Sequence, residues 1–211
     1  MVESLLNNQE LFQFYLEFYI ERFIYASVEI EGFSNDEARE MEKEVLKEAF
    51  CWLLELENDF NYFDIEELGN KVNKNFGLHG FRRINVLSGA QFDPVPPNEI
   101  RMAIYSILDN YYNMWNILDI FEREARLCIE LMRIHPFEDG NKRITKLLLN
   151  SNLLKNNKAP VIITDQDNDL FYRYIVQRDY DGLAAFLKQR SAIERNTMVG
   201  YMKNKLGQQK R

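Results

Sequence analysis

Ile134-His135-Pro136-Phe137-Glu138-Asp139-Gly140-Asn141-Lys142-Arg143-Ile144-Thr145-Lys146 sets a histidine, two acids, a glycine, an asparagine and three cations side by side. Pro136 and Gly140 punctuate a loop, and the run Leu147, Leu148, Leu149, Leu153, Leu154 behind it has helical spacing. The polar groups therefore fall where a loop enters a helix. A helix start leaves backbone N–H groups unpaired and carries a partial positive charge, which makes it a site for anions and for phosphate above all. Gly140 permits a tight turn and a close approach to a ligand. Asn141, Lys142 and Arg143 add donors and charge beside the same N–H groups. Asp139 is a hard carboxylate of the kind that holds Mg²⁺ together with substrate phosphates. His135 stands four residues before it, and a neutral imidazole suits a general base near neutral pH. The set amounts to an electrostatic clamp on phosphate oxygens with a base alongside.

Outward from this stretch, apolar spacing predicts an all-α protein. Residues 118–133 form a helix that delivers His135, and 141–155 form the helix after the loop. Residues 8–31 read as one amphipathic helix (Leu11, Phe12, Tyr15, Phe18, Tyr19, Phe23, Ile24) ending at Gly32. A second helix over 35–58 turns Val45, Leu46, Ala49, Trp52 and Leu53 inward, and its many charges read as a solvated face. Further helices are expected over 64–75, 98–116 and 168–178, with Val161-Ile162-Ile163 as a short extended piece. Apolar residues around Ser88-Gly89 read as a β-hairpin, followed by Pro94, Pro96 and Pro97. After Asp181–Gln189 the chain reads as a polar, locally basic tail from Arg190.

The 211 residues fit one domain with a sizeable core, and the 46% hydrophobic and 13% aromatic content speaks against disorder. A net charge of −7 argues against a general nucleic-acid binder. Cys51 and Cys128 lie far apart in apolar stretches and read as buried thiols of a reducing compartment. The greasy N-terminal stretch is interrupted by Glu17, Glu21 and Arg22, which fits neither a signal peptide nor a membrane span. A cytoplasmic location is the expectation.

His135-x-Phe137-x-Asp139-Gly140-Asn141-Lys142-Arg143 resembles the signature of the Fic (filamentation induced by cAMP) family, with Lys146 where that signature ends in arginine. The resemblance covers about residues 80–190 and implies a Fic-type helical bundle with a small β-hairpin flap. It also implies a transferase acting on protein hydroxyls, most members moving AMP from ATP to a Ser, Thr or Tyr of a target. By position, His135 would deprotonate the target hydroxyl, Asp139 would hold Mg²⁺, Gly140, Asn141 and Lys142 would form the anion hole, and Arg143 and Lys146 would meet phosphate. Phe171 and Tyr172 fall where family members place aromatics at the adenine, and Asp179 where some place an asparagine. Val86, Leu87, Ser88 and Gly89 match the flap, which would add a strand to the target's backbone. Ser27-x-x-x-Glu31-Gly32 resembles the inhibitory motif of the subclass whose inhibitory helix precedes the core. Glu31 would there face the second-arginine position, here Lys146, as a point-charge partner lacking the guanidinium fork. The resulting division is an N-terminal helical region over 1–79, a Fic core over 80–190 and a C-terminal tail over 191–211.

The reading that follows is a protein adenylyltransferase using ATP and Mg²⁺, autoinhibited by Glu31, with a target protein as partner and a homo-oligomer as an open option. Two alternatives stand beside it. Lys142 also matches the death-on-curing toxins of the same superfamily, which transfer the γ-phosphate. A catalytically silent nucleotide-binding module is the non-enzymatic reading. Removal of AMP by the same site, with Glu31 helping a water attack, remains a variant of the first.

Overall fold

The computed structural model describes residues 9–32, 35–86 and 92–209. Eight α-helices follow one another there: α1 (Gln9–Glu29), α2 (Asp36–Glu55), α3 (Tyr62–Val72), α4 (Ile100–Asp109), α5 (Ile120–Ile134), α6 (Asn141–Lys155), α7 (Asp165–Gln177) and α8 (Tyr180–Gln209). A π-helical turn, Asn110–Met114, prolongs α4. No strand occurs among the described residues, and no helix among them is long and apolar enough to cross a membrane. The all-α expectation therefore holds.

Local chemistry sets the helix boundaries. The Asn35 side chain accepts from Ala38 N at 2.7 Å to start α2, and Asn61 with Asp64 closes a capping box on α3. Two apolar clusters fill the interior. One joins α1, α2, α3, α4, α5 and α6 to the far half of α8, around Tyr19, Phe23, Phe50, Leu68 and Met202. The other lies between α5, α6, α7 and the near half of α8, around Ile129, Leu153, Phe171 and Leu187. Each such side chain contributes roughly 1.5–3 kcal/mol when fully withdrawn from water. Helices α5 and α6 face both clusters, so the loop joining them is anchored from two sides.

The flap hairpin falls largely outside the described residues: Val86 lies in irregular chain, while Leu87, Ser88 and Gly89 are not among them. Two other expectations need amending. Val161–Ile163 is not a strand. The backbone of Val161 is satisfied by side chains instead, with Val161 N donating to Asn150 Oδ1 at 2.7 Å and Tyr19 Oη donating to Val161 O at 3.1 Å. The stretch from Arg190 is no separate tail, because α8 runs unbroken to Gln209. Leu183, Leu187, Ser191, Glu194, Met198 and Met202 make one buried stripe at helical spacing. Its two polar members are spoken for: Ser191 Oγ donates to Ala159 O, and Glu194 accepts from Tyr15 and from both Nη atoms of Arg22. Helices α1 and α8 are thus bound by apolar packing and a partly buried ionic tie.

Candidate active site

The α5–α6 junction is folded by its own sequence. Helix α5 ends when His135 takes the left-handed conformation (φ 51°, ψ 60°), its N–H still bonded to Leu131 O. Asn141 then braces the turn, donating to Phe137 O at 2.9 Å and accepting from Phe137 N at 3.1 Å. Gly140 (φ 79°) starts α6, and a Cβ there would come 2.9 Å from Asn73 Oδ1 and 3.1 Å from Val72 Cγ1. Both conformation and space demand glycine. Phe137 is buried against α3, where a Cβ on Gly69 would lie 2.0 Å from its ring.

Residues outside the signature complete the scaffold. Buried Arg82 donates from Nε to His135 O at 2.6 Å and from Nη1 to Ile84 O at 2.9 Å. Its Nη2 reaches Val95 O and Ile134 O, and its backbone N–H reaches Pro136 O. One guanidinium thus satisfies the last carbonyls of α5 and ties Ile84 and Val95 to that helix end. Asn73 Nδ2 donates to Asp139 O at 3.0 Å.

Glu31, Met132, His135, Asp139, Gly140, Asn141, Lys142 and Tyr172 surround a notch of about 80 Å³. Small-molecule pockets run to ≈ 300–1,000 Å³, so a nucleotide needs this notch to open. Glu31 narrows it, lying 3.9 Å from Lys142 Nζ, while Lys142 stays one-third exposed. His135 has Nδ1 buried without a hydrogen-bond partner. Burial pushes its pKa down, and the Arg82 charge adds to that, against the Met132 carbonyl and Asp139 carboxylate. The imidazole is therefore neutral at pH 7 and able to accept a proton.

Arg143 is buried, with both terminal nitrogens engaged and Nε without a hydrogen-bond partner. Its Nη1 pairs with Glu42, its Nη2 donates to Asp139 Oδ2 at 2.8 Å, and the guanidinium lies 5.5 Å from the Phe76 ring. Burial raises the Glu42 pKa and Arg143 opposes this; with the guanidinium ionised at any ordinary pH, the pair is ionic. Asp139 remains half exposed, and its Oδ1 accepts from Gly140 N at 2.6 Å. Among the described residues no group of three or more His, Cys, Asp or Glu gathers around a metal-sized space. A single accessible carboxylate still suits Mg²⁺, which takes one or two carboxylates and completes its shell with phosphate and water.

Lys146 is 3% exposed, and its Nζ has no hydrogen-bond partner. Burial pushes its pKa down to about 8, with Lys142 and Arg143 adding to the effect and Glu31 opposing it. The ion pair that Glu31 makes is with Lys142 rather than with Lys146.

The remaining expected site residues divide. Tyr172 lines the notch, whereas Phe171 is 1% exposed in the apolar cluster beside Ile175 and Leu183. Asp179 accepts from Gly182 N at 2.8 Å, capping α8 away from the notch lining. Ser27 is buried on α1, one turn before Glu31. Glu42, Gly69, Asn73 and Arg82 were not anticipated. Glu42 carries a readable signal: it sits at the head of the stripe Val45, Leu46, Ala49, Leu53, an acid on the apolar face of α2.

A histidine closes one helix and a glycine-started turn, with a cation and free backbone N–H groups, opens the next, an arrangement with the chemistry to meet an anion. The Fic/DOC family model matches residues 59–153. A Nematostella vectensis protein named protein adenylyltransferase Fic is 32% identical over 99 residues, 44% of this chain and 23% of that protein. The Caenorhabditis elegans protein adenylyltransferase fic-1 is 28% identical over 142 residues, 65% of this chain and 28% of that protein. The matched stretches thus span less than a third of those relatives. The crystal structure of a Fic domain containing signaling protein from Bacteroides thetaiotaomicron superposes with a TM-score of 0.84 at 19% identity, over 96% of this chain and 94% of that one.

Proposed function

We propose that the chain is a protein adenylyltransferase restrained by Glu31. The observation that carries this is the convergence of His135, Asp139 and the first turn of α6 on one notch, and the names of the matched relatives support the same activity. The His135 imidazole takes the proton of a target hydroxyl. The freed oxygen attacks the α-phosphorus of ATP, the bond to the β-phosphate bridging oxygen breaks, and pyrophosphate leaves. The unpaired N–H groups of the α6 start and the Lys142 ammonium neutralise phosphate charge. Asp139 is the residue that would hold Mg²⁺, whose chemistry there is neutralisation of phosphate oxygens. Tyr172 offers an aromatic face to the adenine. A target segment is held by the flap around Val86–Gly89.

Glu31 restrains the site because its carboxylate takes the Lys142 ammonium and narrows the notch. Glu31→Gly removes both effects. Purified Glu31→Gly with Mg²⁺ and ATP labelled at the α- or the γ-phosphate is the test, with His135→Ala in the same background as control. Label from α-ATP alone, lost with His135→Ala, is the expected result. Label from γ-ATP alone replaces this reading with phosphoryl transfer directed by Lys142. Binding without label transfer identifies a silent nucleotide module.

A further inference from the structure

Arg143 belongs to the signature, yet both of its terminal nitrogens are committed inside the protein, and it is 2% exposed. The partner on one side is Asp139, four residues earlier in the loop before α6; the partner on the other is Glu42, 101 residues away on α2. Phe76 covers the guanidinium face. Glu42 itself is 1% exposed and has no role in folding α2, whose buried stripe an apolar residue would continue. An acid at such a position carries a desolvation cost that an apolar residue avoids. What it gains is the far end of a strut: Glu42 holds Arg143 Nη1, Nε is left without a partner, and Nη2 grips one oxygen of Asp139. The other, Oδ1, is left with the Gly140 N–H, and the carboxylate remains half exposed. Without Glu42 the guanidinium fork is free to turn both nitrogens onto Asp139, the bidentate geometry arginine favours.

We propose that Glu42 is a positioning residue of the site: acting through Arg143, it keeps the Asp139 carboxylate oriented toward the notch and prevents its full capture by the arginine. Arg143 is then an internal strut, and Lys142, the exposed cation, is the signature side chain left to meet phosphate. The inference rests on the notch being a nucleotide site, and its test separates the two ideas. The first measurement needs no ligand. Melting temperatures are compared for Glu42→Gln, Asp139→Asn and the double variant, each with Arg143 and with Arg143→Met. With Arg143 present, the double variant is expected to lose more than the sum of the single losses, because the buried guanidinium then has no counter-ion. With Arg143→Met the losses add. Additive losses in the presence of Arg143 overturn the strut.

The second measurement titrates ATP into Glu31→Gly protein with EDTA or with Mg²⁺. Adding Glu42→Gln is expected to leave metal-free affinity within two-fold and to cut the tightening given by Mg²⁺ at least five-fold. Arg143→Lys, which lacks the fork, is expected to do the same, and Glu42→Asp to recover part of the loss. Equal weakening with and without metal, or none, makes Glu42 merely structural and overturns the proposal. A Glu31→Gly protein that binds no ATP defeats the nucleotide reading, and the melting cycle still decides whether Glu42 acts on Asp139.

Discussion

Glu42 and Glu124 are both withdrawn from water, at 1% and 0% exposure, and they are made tolerable in opposite ways. Glu42 meets a guanidinium beside the site. Glu124, where α5 faces both α4 and α6, takes its hydrogen bonds from the neutral Tyr111 hydroxyl and the Asn152 amide, with the Arg123 charge acting only from a distance. Its pKa is pushed up to about 7 by burial, against the pull of those two hydrogen bonds. A buried acid with a cation is committed to its charge, whereas one with neutral donors titrates near physiological pH. The site thus holds a fixed charge, and the packing between helices holds a conditional one.

The largest test of this contrast is Glu42→Ala. Combined with Asp139→Asn, it strands the Arg143 charge in the interior, and the two changes together are expected to cost about 3–5 kcal/mol in urea unfolding. An effect below about 1 kcal/mol, the level of exposed pairs, would mean that water reaches the pair. Next comes the pH dependence of Glu124. Its folded pKa lies above the unfolded value, so the folded state binds more protons between the two. Stability therefore falls as pH rises from roughly 4.5 to 7, by about 3 kcal/mol. Glu124→Gln is expected to remove that decline, and a parallel decline in the variant would assign it to other groups. Glu194 tests the intermediate case, since it is 3% exposed but its cation, Arg22, has a one-third exposed side chain. Arg22 can turn to water, so Glu194→Gln is expected to cost roughly 1–2 kcal/mol in the same assay. A loss as large as that for Glu42→Ala combined with Asp139→Asn would mean that partner exposure does not set the scale.

Lys146 gives the smallest effect and the converse situation, a buried cation with no hydrogen-bonded partner. With its pKa at about 8 it is charged at pH 7 and neutral at pH 9. ATP affinity of Glu31→Gly protein is expected to weaken about five-fold over that rise, as one charge near the phosphates is lost. Lys146→Arg, charged throughout, is expected to flatten the profile. An unchanged profile would remove Lys146 from the binding site.

The same contrast explains what could be read from the sequence. His135 to Lys146 are contiguous, so their meeting at a helix start follows from chain order, and most helices followed from apolar spacing. Glu42, Asn73 and Arg82 reach the loop across 101, 66 and 53 residues. Periodicity tells which face of α2 is buried but not what a lone acid on that face will meet. The same limit applied to α8, whose stripe passes through Ser191 and Glu194; their partners lie on the 159–161 segment and α1. Gly69 looks like a weak point in α3 until the Phe137 ring is laid against it.

His135 is at once the proposed base and the left-handed cap of α5, and it precedes a proline, a combination that an L-residue with a Cβ adopts at a cost of about 1 kcal/mol or more. The position at which chemistry is proposed is therefore also one at which the backbone would relax if the side chain were lost. Replacement by glycine would give a calmer, inert protein, and replacement by alanine an inert one that keeps the tension. Under selection for stability alone, this histidine would drift to glycine, so its presence marks where the fold yields to another demand.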